Sequence, residues 1–347
     1  MSAAPGRREQ ARSEIEAGGL PMTAAVPTTP TPRSGLNAQL GTYLGLAAVL
    51  LGMVALFSSL SEYFFTTDTF VAIVNEIPAL AVMAVGMTFV LIIAGIDLSV
   101  GSVLALSAAL SAMAVLQWGW TPLGASVLGL AAGALCGLVL GSVSVAWRLP
   151  SFIVSLGMLE VVRGSAYLVT GSRTQYVGER IAGLAAPLVG GVSVAFVLAV
   201  LLVVVGQLVL TRTVFGRSVV GIGTNEEAMR LAGVDPRPVR ILVFTLTGLL
   251  AGLAGLMQAA RMEAADPNAG QGMELRVIAA VVIGGTSLMG GRGSVVNTFI
   301  GVLIIAVLEA GLAQVGASEP SKRIITGCVI VVAVIVDTLR QRRAARH

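Results

Sequence analysis

Ten apolar segments dominate this chain, at roughly 41–60, 70–94, 99–117, 122–146, 150–170, 187–210, 241–262, 276–290, 295–316 and 323–338. Wound as helices, runs near twenty residues match the ~30 Å hydrocarbon core of a bilayer. They do not alternate in polarity as lipid-facing strands must, so a barrel does not fit. Backbone amides in lipid have no water to bond, and each span must therefore be a helix that satisfies itself. The expected class is all-α: a polytopic integral membrane protein of about ten transmembrane helices with one or two broken or re-entrant segments. Composition agrees, because only 12% of residues are charged, against about 25% in a soluble domain. The 42 glycines suit helices that pack closely in lipid.

Charge sets the expected topology. Residues 1–38 are rich in Pro, Thr, Ala and Arg and have no periodic apolar face, which reads as a disordered cytoplasmic tail. A transmembrane domain over 39–340 and a basic cytoplasmic tail over 341–347 follow. Threading the segments alternately from an inner start puts Arg148, Arg212, Arg217, Arg230, Arg237, Arg240, Arg292 and Arg340 on the tail's side, while Arg173, Arg180, Lys322 and Arg323 fall in outer loops. That bias predicts N- and C-termini both in the cytoplasm.

Several chemistries are excluded by residue usage. The sole histidine is His347 and the sole lysine is Lys322, which leaves no Ser-His pair, no HExxH site and no P-loop. Cys136 and Cys328 lie inside apolar runs, away from any disulfide framework or zinc spacing. Neither catalysis nor a cofactor in this chain is expected.

Two glycine-interrupted stretches stand out. Ile93 to Val103 (IAGIDLSVGSV) and Ile283 to Val295 (IGGTSLMGGRGSV) share an I-[AG]-G-x-x-L-x-x-G frame, and the span at 276–290 is too short and glycine-rich to cross comfortably. Paired interrupted segments in corresponding places point to a transporter's central site. In the first stretch, Gly95, Asp97, Ser99 and Gly101 mark a helix break or the permeation path. Asp97 has two compatible readings: it caps the helix beginning near Ser99, or it binds hydroxyls of a solute. An unpaired carboxylate in hydrocarbon costs about 2.5–3.5 kcal/mol, so it must face protein, water or the interface.

Glu160 and Arg163 are three residues apart and share a helix face, as a neutralising pair or as a lining of the passage. Asn75 and Glu76, before Pro78, read as an interface feature near the outer surface. Arg261, Glu263, Asp266, Glu274 and Arg276 surround an outer loop, as a solvated face or as a charged rim that steers a partner.

The long polar excursion at 211–240 is cytoplasmic by the charge rule. Within it Thr224 or Asn225 can cap a short helix with Glu226 and Glu227 in its first turn, and Gly233 can end it. Such a stub is shaped to dock onto something.

Taken together, AGIDLSVGS (94–102), LPSFIVSLGMLEVVRG (149–164), GTNEEAMRLAGV (223–234) and VIAAVVIGGTSLMGGRGSVV (277–296) resemble the membrane permease subunit of bacterial ABC sugar importers of the ribose, xylose and galactose type. The likeness runs from about residue 41 to 340. It implies a two-permease channel in the cytoplasmic membrane, translocating a pentose or hexose, fed by an extracytoplasmic sugar-binding protein and driven by a separate ATPase subunit that binds the ATP. The stretch Glu227 to Gly233 resembles the EAAxxxG loop by which importer permeases engage their ATPase, with Met229 in place of the second alanine. Asn225, Glu226, Glu227, Ala228 and Gly233 are the coupling residues this implies. The alternatives are an ion-coupled secondary transporter, using Asp97, Glu160 or Glu309, and an ABC permease for branched-chain amino acids.

Overall fold

The computed structural model describes residues 36–344. Most of the expected tail over 1–38, the last three residues and the side chain of Asp337 lie outside the described residues. The chain divides into residues 1–42 and residues 43–347, and the second unit carries the architecture below.

That architecture is mainly helical. In chain order the helices are α1 (Leu36–Leu60), α2 (Thr67–Glu76), α3 (Pro78–Ile92), α4 (Val100–Leu116), α5 (Pro122–Ala146), α6 (Ser151–Thr170), α7 (Val194–Arg212), α8 (Val214–Thr224), α9 (Glu226–Leu231), α10 (Pro236–Met262), α11 (Met273–Ile283), α12 (Val295–Gln314) and α13 (Glu319–Ala344). A two-stranded antiparallel ribbon pairs β1 (Gln175–Tyr176) with β2 (Ala264–Ala265). It joins the loop after α6 to the C-terminal end of α10, the ribbon end; α8 and α9 precede the N-terminal end of α10, the α9 end.

The ten expected segments are met unequally. Among the described residues α1 from Tyr43, α5, α6, α7, α10 and α12 are long and apolar enough to cross a membrane. The segment at 70–94 is a pair, α2 and α3, bent by 45°. Pro78 causes the bend, since it opens α3 at its first turn and offers no N–H to continue α2. The segment at 99–117 is the 17-residue α4, and 276–290 shrinks to the 11-residue α11 followed by turns. Helix α11 ends at Gly284, and Gly285 (φ 83°) takes a conformation that side chains resist.

Helix α3 is the centre of the core. All fifteen of its residues are buried, which suits a helix that is apolar on every side. Helices α5 and α7 instead expose Leu123, Leu135, Leu201 and Val204, as lipid-facing helices do. Helix α5 meets α10 through Gly129, Gly133, Gly137 and Gly141, one glycine every fourth residue. A Cβ at Gly133 would overlap the Gly248 carbonyl, and one at Gly137 the Phe244 carbonyl, so the backbones touch directly.

Candidate functional site

The first break, Ile93 to Ser99, is built by its own residues. Ala94 takes φ 56°, reversing the chain, and Gly95 N–H donates to the Val90 carbonyl at 2.9 Å. At Gly95 a side chain would press on Val90 and Phe244. Helix α6 holds the far side: Ile96 N–H donates to Ser151 Oγ at 3.0 Å. Asp97 is 2% exposed, and its Oδ1 accepts from Ser99 N–H at 2.8 Å and from Ser99 Oγ at 2.6 Å. This turn holds the N–H and hydroxyl of Ser99, the residue that precedes α4, while the first-turn amides of α4 receive no side-chain cap. Gly101 lies against Gly270 and Glu274 so closely that a Cβ would overlap the Gly270 carbonyl.

The second break shares one side-chain turn with the first. Ser287, at the frame position of Asp97, accepts on Oγ from Met289 N–H at 3.2 Å, the same side-chain turn two residues on. Both breaks are flanked by a helix on each side, α3 and α4 for one, α11 and α12 for the other. They also meet in space. Gly291 N–H donates to the Ile92 carbonyl at 2.8 Å, and Gly290 packs against Ala94. A further tie joins their helices, Thr88 Oγ1 to Thr298 Oγ1 at 2.9 Å, fully buried.

The polar excursion at 211–240 contains two helices where one stub was expected. Helix α8 buries Gly216, Val219 and Ile222, and its end reaches the meeting point of the breaks: a Cβ on Gly223 would overlap the Ile92 carbonyl and crowd Gly291 N. Helix α9 follows directly. Asn225 is its cap, with Oδ1 accepting from Ala228 N–H at 3.0 Å; Thr224 instead ends α8. Glu226 is held by Arg230 at 2.8 Å and by Arg240 of α10 at 2.7 Å. Met229 folds back onto Gly221. Gly233 (φ 84°) closes the helix as expected, its N–H donating to the Arg230 carbonyl at 2.9 Å. Glu227, Ala228 and Leu231 face outward, with Leu231 83% exposed.

Other expected sites are rearranged. Glu160 and Arg163 form no ion pair among the described residues. Glu160 is exposed, whereas Arg163 is 8% exposed and donates to the carbonyls of Pro267 and Ala269, both at 2.7 Å. Backbone carbonyls of a folded-in loop outcompete a carboxylate on the outer face of the same helix. The five-charge loop also divides. Asp266 accepts from Asn268, Arg276 pairs with Glu309 at 3.2 Å, and Glu274 turns inward, its Oε2 buried without a hydrogen-bond partner beside Gly101. Reasoning from sequence missed Gly223, Gly290 and Ser151, because backbone contact between distant segments leaves no local signal.

Residues 69–334 match the family described as branched-chain amino acid transport system / permease component. The chain is 39% identical over 299 residues to the ribose import permease protein of Escherichia coli K12, covering 84% of this chain and 92% of that one. It is 34% identical over 313 residues to the fructose import permease protein of Rhizobium meliloti, covering 86% of each. It is 35% identical over 315 residues to the L-arabinose ABC transporter permease protein of Azospirillum brasilense, covering 89% of this chain and 91% of that one. No solved structure matches. The chain therefore belongs to the branched-chain amino acid transport system / permease component family, and is a multi-pass membrane permease.

Proposed function

We propose that this chain is the permease subunit of an ATP-driven importer that passes a monosaccharide into the cytoplasm. Two copies form the channel, a sugar-binding protein delivers solute at the ribbon end, and an ATPase subunit docks on α9 from the cytoplasm, the side of both termini. The observation that carries the reading is the stack at the α9 end. Helix α9 is clamped to α10 through Glu226 and continues from α8, whose Gly223 touches the Ile92 carbonyl and Gly291 of the two breaks. A push on Leu231, Ala228 and Glu227 thus has a packed route to the segments that interrupt the membrane core. Coupling requires only that the nucleotide-bound partner favour one arrangement of that route. The chain's own chemistry is conformational, and ATP is hydrolysed by the partner.

The sugar assignment rests on relatives named for ribose, fructose and arabinose. A second reading, a branched-chain amino acid permease, is favoured by the family's description. Uptake of labelled ribose by the complete transporter, challenged with unlabelled ribose, arabinose or leucine, separates them. Uptake of labelled ribose, with competition by sugars and none by leucine, is the expected result; no uptake of labelled ribose alongside uptake of labelled leucine contradicts it.

A further inference from the structure

Three adjoining cavities open near the ribbon end, and Glu76 lines all of them. The first, of about 600 Å³, lies beside Asn75, Gln258 and Arg261; the second, of about 510 Å³, beside Arg276, Glu309 and Lys322. Between them a neck of about 80 Å³ shares Glu76, Gln258 and Arg261 with one and Glu76, Arg276 and Glu309 with the other. Ile77, Leu80, Met273 and Ala306 form its apolar wall. Further along α3 and α12 from Leu80 and Ala306, Met83, Val302 and Ile305 are buried.

The bend places Glu76. It is the last residue of α2, one residue before Ile77 and Pro78 turn the chain into α3. Its neighbour Asn75 is locked, donating from Nδ2 to the Gly191 carbonyl at 2.9 Å and accepting from Ser193 N–H at 2.8 Å. Across the neck the Arg276 guanidinium meets Glu309 through Nε at 3.2 Å and through a terminal nitrogen at 3.3 Å. Among the described residues Glu76, Gln258 and Arg261 have no side-chain hydrogen bond or ion pair. Polar groups lying a turn or more inside helix ends, as Gln258 and Glu309 do, must face water or solute rather than lipid. The neck holds two carboxylates and two guanidinia, Glu76 and Glu309 against Arg261 and Arg276. This balance offers many donors and acceptors without net charge, which suits a neutral polyhydroxylated molecule better than an ion.

We propose that this neck is the chain's own contact site for a monosaccharide, with Glu76 accepting from hydroxyls and Gln258 and Arg261 donating to them. The proposal rests on the sugar-importer reading above. It is tested in vesicles holding the complete transporter, with ribose uptake and ATP hydrolysis measured together for Glu76→Gln and, independently, Gln258→Leu. Uptake per ATP hydrolysed is expected to fall about tenfold in Glu76→Gln, the loss of one charge-assisted hydrogen bond, with hydrolysis stimulated by the loaded binding protein kept within about twofold. An unchanged ratio in both variants overturns the proposal. So does parallel loss of uptake and stimulation, which would make the cavity rim a seat for the binding protein. Should one variant fail to assemble, the other decides. A wild-type transporter that moves no monosaccharide refutes the importer reading itself, before any variant is compared.

Discussion

Single side chains decide how the breaks are held. Asp97 Oδ1 receives two hydrogen bonds from Ser99, one from N–H and one from Oγ. Asparagine keeps an acceptor at that place but removes its charge, and hydrogen bonds to ionised acceptors are roughly twice as strong as neutral ones. Asp97→Asn is therefore expected to assemble, with stability lowered by less than in Asp97→Ala, while transport falls. Asp97→Ala, losing both bonds, is expected to lose about 0.5–2 kcal/mol of stability as well. Unchanged uptake by Asp97→Asn would show that neither a charge-assisted turn nor a sugar contact matters there. The Thr88 and Thr298 pair gives a directional expectation. Thr88 Oγ1 donates to the Ala84 carbonyl at 2.7 Å, so its single hydrogen is committed and Thr298 must donate to it. Thr88→Val strands the buried Thr298 hydroxyl, at about 1–3 kcal/mol, whereas Thr298→Val strands nothing and costs less. Thermal unfolding in detergent ranks the two; equal midpoints contradict the assignment of donor.

Elements explain what sequence reading reached and what it missed. The stub at 226–231 was legible because its signals are local: Asn225 as cap, glutamates in the first turn, Gly233 as stop. The break at Ile93 to Ser99 was legible for the same reason, a glycine and an aspartate interrupting an apolar run. Glu160 and Arg163 were expected to interact from spacing alone, but spacing fixes only that they share a face, not that a distant loop folds in to offer Pro267 and Ala269 carbonyls. Nor does sequence distance reveal that α8 ends against both breaks. At that contact Gly223→Ala is expected to lower the unfolding midpoint and abolish transport, because the Ile92 backbone cannot yield and overpacking costs about 1–3 kcal/mol. Gly157→Ala on α6, where nothing lies within 4 Å of the added Cβ, is the control and should leave both unchanged or slightly raise stability. If both substitutions behave alike, α8 is not packed as described.

At the scale of the molecule, the described residues hold six helices long and apolar enough to cross a membrane and a bent pair whose second member, α3, is wholly buried, with the two breaks meeting at the α9 end and a polar cavity at the ribbon end. On the proposed reading, the stack of α9 and α8 on the breaks is the route for movement and the neck beside Glu76 is the route for solute. The secondary-transporter alternative places the energy source inside the chain; the importer places it in a partner pressing on α9. Leu231→Glu on the exposed face of α9 should release the ATPase subunit without unfolding the permease. The most direct test is solute accumulation in sealed vesicles. With the ATPase subunit, binding protein and ATP, labelled ribose should accumulate against its gradient, and Leu231→Glu should abolish this. Uphill accumulation by the permease alone, driven only by a proton or sodium gradient, would contradict the central claim.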